Sequence, residues 1–359
     1  MPACLRAVCF FLCAALLFFA LPIPTRGDSI LPSVSAKSAI LIDASSGRII
    51  YEKNAELRLP MASTTKIMTA LVALEEGDPE ATVEIDPRAV GIEGSSAYLS
   101  AGERLTLREL VYCLMLASAN DAAAAIAYAL SGGIEGFAAL MNEKAVELGL
   151  SNTRFENPHG LDSKDHYTTA HDLARLTAHA LKNADFAKIV ATNSFVAESD
   201  TAKHTLFNHN RLLRSYRGCI GVKTGYTKIS GRCLVSAAER GGLRLICVTL
   251  NAPDDWNDHK AMLDYGFAHY YAKPLCTVGE SFYDLPVVSG ERGRVLCCAA
   301  GSAYITLPSG AAGEIRCVIE CPRFLWKLPR DGDRLGRLLF FENGKLAATV
   351  DLVARIYKG

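Results

Sequence analysis

The apolar pattern of this chain changes period twice, and that alternation limits the fold more than any other feature. Residues 38–43 and 48–52 are apolar, β-branched runs around Ala44-Ser45-Ser46-Gly47, the pattern of a hairpin. Residues 64–76 then repeat at helical spacing through Ile67, Met68, Leu71, Val72 and Leu74. Leu107, Leu110, Val111 and Leu114 follow the i, i+3, i+4, i+7 rule, and 121–130, 136–148 and 169–183 continue the helical block. From Gly218 strands return at 221–227, 232–238 and 243–250, the last two around Glu239-Arg240-Gly241-Gly242, and a helix over 258–271 closes the series. Strands on both sides of a helical block predict an α+β domain whose antiparallel sheet draws strands from both of its ends.

A boundary falls near Ala272-Lys273-Pro274. Beyond it, short β runs at 294–298, 303–307, 314–321, 334–341 and 345–353 are separated by Gly, Pro and Asn-Gly turns, which predicts a small all-β module. The 359 residues suit two or three domains, and at 50% hydrophobic residues a sizeable core is available. Charge is balanced, 38 basic against 38 acidic residues with no basic stripe, so nucleic acid is excluded as the expected partner.

The first residues are expected to lie outside the fold. Arg6 supplies a positive start, residues 7–21 are apolar, Pro22 and Pro24 break the run, and Thr25-Arg26-Gly27 places small residues ahead of Asp28. The run is short for a membrane span, which needs about 18 apolar residues, so cleavage of a leader over 1–27 is favoured over an uncleaved anchor. The expected organisation is therefore a leader at 1–27, a catalytic domain at 28–272 and a β-rich domain at 273–359. Nine cysteines remain after the leader, with no even framework, and several sit in apolar runs. They are expected to be mostly free, buried thiols, with a bridge among the five from Cys276 onward left open.

Three short elements carry chemistry. Ser63-Thr64-Thr65-Lys66 sets a hydroxyl and an amine three residues apart on one helix face. Serine is a weak nucleophile until a neighbour takes its proton, and a desolvated lysine can do so. Backbone N–H groups at a helix start can hold a developing oxyanion. Ser118-Ala119-Asn120, between two helices, offers a proton relay and an amide for the substrate. Lys223-Thr224-Gly225, on a strand, offers a cation, a donor and a close backbone approach. Each has a plain alternative: a helix cap, a second cap, and an edge-strand lysine that guards against aggregation. Together, in this order and on these elements, they form a signature.

On these motifs the chain resembles the low-molecular-mass penicillin-binding proteins, the serine-type D-Ala-D-Ala carboxypeptidases. The resemblance extends from about residue 37 to 271 and includes Arg58-Leu59-Pro60-Met61-Ala62-Ser63, Phe155-Glu156-Asn157-Pro158-His159-Gly160-Leu161 and Gly221-Val222-Lys223-Thr224-Gly225-Tyr226. The tail from about 275 also looks like the family's second domain. The resemblance implies a β-lactamase/DD-transpeptidase-like α+β fold followed by a small all-β domain. It implies that Ser63 attacks the carbonyl between two D-alanines of a peptidoglycan stem peptide and that Lys66 takes its proton. Ser118 and Asn120 would relay that proton and orient the substrate. Lys223 and Thr224 would face the terminal carboxylate, and N–H groups of Ser63 and Tyr226, next to Gly225, would form the oxyanion hole. No metal or cofactor is implied, and penicillins would acylate the same serine.

Two departures from the family stand out. Many relatives carry an arginine just before the closing helix, whereas residues 251–259 here hold none. The carboxylate then rests more on Lys223, or the substrate preference differs. Some relatives end in an amphipathic membrane-binding helix, and none is read here after the last strand. Two other functions stay open. A β-lactam hydrolase would need fast deacylation, and no Glu-x-x-x-Asn element of that kind is read between Asn120 and Lys223. A low-turnover wall-interaction protein would not need all three motifs. His166 and His171 lack a His-Glu-x-x-His pattern and predict no metal site, Asp254-Asp255 reads as a solvated turn, and Cys317 and Cys321 read as two positions on one β run.

Overall fold

The computed structural model describes residues 31–288, 294–310 and 313–357; the expected leader at 1–27 lies outside them. A five-stranded antiparallel sheet has the order β2-β1-β9-β8-β7. Its strands are β1 (Ser38–Asp43), β2 (Ile49–Lys53), β7 (Cys219–Thr227), β8 (Gly231–Arg240) and β9 (Leu243–Leu250). β1 pairs with β9 over its whole length, from Ser38 opposite Leu250 to Asp43 opposite Leu245, so strands from both ends of the domain form one sheet. The β8–β9 turn is tight because Gly241 and Gly242, at φ +56° and +80°, both take the left-handed conformation that a two-residue hairpin demands.

Between β2 and β7 lies the helical block: α1 (Lys66–Glu76), α2 (Leu107–Leu116), α3 (Asn120–Ser131), α4 (Ile134–Glu147), α5 (Ala170–Ala180) and α6 (Ala184–Ala191). The starts are written in sequence. Thr106 and Glu109 close a capping box on α2, Thr169 caps α5, and Asn183 caps α6. α3 is buried over Asn120–Ala127, where four consecutive alanines, Ala122 to Ala125, let neighbouring helices approach. Two short hairpins were not legible in the pattern: β3 (Thr82–Glu84) with β4 (Arg104–Thr106), and β5 (Ser194–Glu198) with β6 (Lys203–Phe207).

One apolar cluster joins α1–α3 to the inner sheet face through Ile40, Ile42, Val235, Ile246 and Val248. A second lies on the other face, where Leu41, Leu234, Leu245 and Cys247 meet Met262 and Leu263 of the closing helix. That helix, after the one-turn α7 (Leu212–Ser215), is α8 (Asp255–His269). It starts three residues earlier than expected, and Tyr270 and Tyr271, read as its end, belong instead to β10 (Tyr270–Cys276). β10 crosses the expected boundary at 272–273 and pairs with β13 (Ala303–Pro308). The remaining strands are β11 (Ser281–Leu285), β12 (Arg294–Ala299), β14 (Ile315–Glu320), β15 (Arg334–Glu342) and β16 (Lys345–Tyr357), a sheet of order β11-β12-β16-β15-β14. They share a third apolar cluster that includes Val295, Cys297, Leu338, Phe340 and Leu352. The nine cysteines are free thiols; six are buried, Cys219 and Cys321 half-buried, and Cys317 exposed. Cys317 lies on β14, and Cys321 falls one residue beyond it.

Candidate active site

The serine sits on a tighter turn than an α-helix. Ala62–Thr65 is a single 3₁₀ turn that leads into α1 at Lys66. With three residues per turn, Ser63 and Lys66 stack one above the other. Ala62, immediately before the serine, is held at φ +46°, and Ser118 at φ +58°. Left-handed backbone at a residue bearing a Cβ is strained and persists only where its surroundings enforce it. Around Ala62 the enforcement is visible. The Thr65 hydroxyl donates to Ala62 O at 2.8 Å, and His166 Nε2 lies 2.7 Å from the same hydroxyl. His166 Nδ1 accepts from Glu156 N at 3.0 Å, which leaves Nε2 to carry the proton toward Thr65. Burial lowers the His166 pKa to about 4, so the ring is neutral. Gly160 (φ +88°) presses on the carbonyl of Ala62, where any Cβ would stand 2.0 Å from the oxygen.

Lys66 is fully buried. Its Nζ lies 3.0 Å from Ser63 Oγ, 2.6 Å from Asn120 Oδ1 and 2.5 Å from His159 O. Asn120 is oriented by its Nδ2, which donates to Glu93 O, so the amide oxygen must face the lysine. Burial is the first cause that lowers the Lys66 pKa well below the usual lysine range, and the nearby positive Lys223 is the second; Asp121 acts in the opposite direction. A neutral amine has two hydrogens and one lone pair. The carbonyl of His159 and the amide oxygen of Asn120 can only accept, so they take both hydrogens. The lone pair is left for Ser63, whose hydroxyl can donate.

Ser118 and Asn120 are placed by the start of α3. Asp121 accepts from Ser96 Oγ, Ala97 N and Leu99 N and so ties the preceding loop to the helix. Lys223 lies on the edge strand β7 but is only 1% exposed, which rules out the reading as a solvated edge lysine. Burial lowers its pKa to about 7. Gly225 is the point of closest approach: a Cβ there would lie 3.0 Å from Ser63 N and 3.1 Å from Thr64 N. Strand β7 and the serine turn can therefore meet only because residue 225 has no side chain.

These elements line a cleft of about 320 Å3. Ser63, Ser118, Thr224, Gly225 and Tyr226 lie on its walls, as the motifs imply. So do residues that no motif marked: Ser95, His209, Arg211, Arg232, Asp255 and Trp256. Asp255 corrects the reading of Asp254-Asp255 as a solvated turn. Asp254 is exposed, but Asp255 is buried and accepts from Arg232 Nε and Nη2, both at 2.9 Å. Burial pushes the Asp255 carboxyl upward while Arg232 pulls it down. The guanidinium groups of Arg211 and Arg232 each lie 5.9 Å from the Trp256 ring centroid. His171 is not drawn into the cleft and pairs with Glu56. Two larger hollows, of about 610 and 530 Å3, are lined by other parts of the fold and hold neither Ser63 nor Lys66.

Residues 27–254 match the family model described as D-alanyl-D-alanine carboxypeptidase. The chain belongs to the D-alanyl-D-alanine carboxypeptidase family. It is 34% identical to D-alanyl-D-alanine carboxypeptidase DacF of Bacillus subtilis over 330 residues, 89% of this chain and 85% of that protein. Penicillin-binding protein 5 of Haemophilus influenzae superposes with a TM-score of 0.69 at 28% identity, covering 91% of this chain and 99% of the other. The Streptomyces K15 DD-transpeptidase gives 0.63 at 36% identity, over 66% of this chain and 99% of its own. The first of these two structures extends the likeness of this carboxypeptidase into the β-rich tail.

Burial of two lysines has a measurable consequence. Lys223 titrates near 7 in the native protein and near 10.4 once unfolded. Unfolding takes up a proton between those values, so stability rises with pH from about 7 toward 10. Lys223→Met is expected to be more stable than the parent at pH 6–7 by a few kcal/mol, with the gap closing at pH 9. Urea midpoints across that range test this; a gap independent of pH contradicts it.

Proposed function

We propose that this carboxypeptidase removes the terminal D-alanine from peptidoglycan stem pentapeptides through an acyl-enzyme on Ser63. The observation that carries the reading is the Lys66 amine, stripped of other uses for its lone pair and 3.0 Å from Ser63 Oγ. Lys66 takes the Ser63 proton as Oγ attacks the carbonyl carbon of the D-Ala–D-Ala bond. Backbone N–H groups of Ser63 and Tyr226 receive the oxyanion. The C–N bond then breaks, and the proton passes by way of Ser118 to the leaving amine of D-alanine. Asn120 holds the acyl side of the substrate. Water, deprotonated by Lys66, hydrolyses the ester and returns Ser63. Strand β7 is an unpaired sheet edge along the cleft, which suits an extended peptide. Penicillins, as carbonyl electrophiles, would acylate the same oxygen.

The terminal carboxylate meets Lys223 and Thr224, and the missing arginine before the closing helix is made good from elsewhere. Arg211 and Arg232 enter the cleft from the segment before β7 and from β8. Arg232 shares its charge with Asp255, so Arg211 is the stronger candidate for the second carboxylate contact. Export with removal of 1–27 is supported by the apolar run and the small residues Thr25 and Gly27, and it would place the enzyme at the cell envelope. A two-domain division near 272 is supported by the separate apolar cluster of the β-rich part.

Ser63→Ala is expected to abolish both D-alanine release from a pentapeptide and labelling by fluorescent penicillin; persistent labelling would remove Ser63 as the nucleophile. Arg211→Gln is expected to raise KM for the pentapeptide about tenfold or more, with a smaller effect in Arg232→Gln, since a charge-assisted hydrogen bond is worth roughly 1.5–3 kcal/mol. An unchanged KM in Arg211→Gln would return carboxylate recognition to Lys223 and Thr224 alone.

A further inference from the structure

The segment after β14 gathers two aromatic rings and three cations on one surface. Residues 321–330 read Cys-Pro-Arg-Phe-Leu-Trp-Lys-Leu-Pro-Arg, with no acid among them. Leu325 and Leu328 pack inward against the third apolar cluster. Leu325 is fixed further by its N–H to Pro286 O and by its carbonyl, which accepts from Val288 N, both at 2.9 Å. With the leucines held inside, the residues beside Leu325 are turned out. Phe324 is 42% and Trp326 76% exposed, and Val288, next to the residue that bridges Leu325, is 52% exposed. The two rings meet edge to face, with centroids 5.2 Å apart. Arg323, Lys327 and Arg330 are exposed beside them, and among the described residues no carboxylate pairs with their side chains. Two exposed acids follow: Asp331 is engaged by Arg355 Nη1 and Ile356 N, and Asp333 accepts from Arg330 N, so neither pairs with the side chains of the three cations.

Exposed aromatic rings among unpaired cations are unusual on a surface that meets only water. Aromatic side chains settle at the headgroup level of a bilayer, and neighbouring lysines and arginines are drawn to anionic lipid. A sugar-binding platform would present open ring faces, whereas here one ring's edge covers the other's face. We propose that residues 323–330 dock this chain peripherally on a bilayer surface rich in anionic phospholipid, with Trp326 and Phe324 inserted at the headgroup level and Arg323, Lys327 and Arg330 against the phosphates.

The test uses residues 28–359, which retain the whole compact unit from Ser33 onward and lack the apolar start that would itself bind lipid. Trp326 and Trp256 are the two tryptophans of the chain, so the difference in emission between the parent and Trp326→Phe gives the Trp326 signal. With phosphatidylglycerol-containing vesicles at low salt, Trp326 emission is expected to shift to the blue and to be quenched by brominated lipid, and neither is expected with phosphatidylcholine alone. Arg323→Gln, Lys327→Gln and Arg330→Gln are each expected to weaken binding about fivefold, and 0.5 M salt to weaken it further. Phe324→Ser with Trp326→Ser is expected to lose vesicle binding while keeping D-alanine release from a soluble peptide, which reports an intact fold. The proposal is overturned if Trp326 is not quenched, if the variants bind as tightly as the parent, or if the chain is retained through Trp326 by isolated peptidoglycan and not by vesicles.

Discussion

A buried amine that donates both of its hydrogens to oxygens unable to donate in return has only one use left for its lone pair. Lys66 is in that position, between Asn120 Oδ1, His159 O and Ser63 Oγ. Burial disfavours its ammonium form, the second buried lysine adds repulsion, and Asp121 offsets only part of this. The balance shifts toward the neutral amine, which gives the serine a base without a histidine. Much of the fold serves this arrangement. α3 brings Asn120 and Ser118 to the amine, and the segment around Pro158 and His159 places the carbonyl. Strand β7 closes the far side through Gly225.

That geometry is held at some expense. Ala62 and Ser118 occupy left-handed backbone, Gly160 lies against the Ala62 carbonyl, and two lysines are buried. Each opposes stability, and each is tolerated because the sheet and the helical block around it are densely packed with aliphatic side chains. His166 contributes through position. Held neutral, it fixes Thr65, and Thr65 fixes the turn that presents Ser63.

The sheet and the three motifs were legible in the sequence because they depend on local pattern. Apolar alternation marked β8 and β9, the helical spacing of apolar residues marked the helices, and the motifs marked Ser63, Lys66, Ser118, Asn120, Lys223 and Thr224. What stayed hidden depends on contacts between distant segments. Nothing around Asn208-His209-Asn210-Arg211 or Ser230-Gly231-Arg232 shows that both arginines meet Trp256 in one cleft. Asp255 looked solvated because its neighbour Asp254 is, and its burial follows from the ion pair to β8. Tyr270 and Tyr271 read as helix because aromatic residues suit either state, and pairing with β13 decides for strand. Ser63 was expected on an α-helix, and the strained 3₁₀ turn could not be read from four residues that suit both.

The activation of Ser63 depends on the charge of one amine. Carbon-13 labelling of the lysine side chains, with the Cε resonance of Lys66 assigned by Lys66→Met and followed through a pH titration of the intact enzyme, measures it directly. A midpoint well below the ordinary lysine range of about 10.4, moving upward when penicillin esterifies Ser63 and removes its hydroxyl proton as a partner, is the expected result. A Lys66 resonance that titrates at the ordinary lysine value, and does not respond to acylation, would rule this amine out as the base for Ser63.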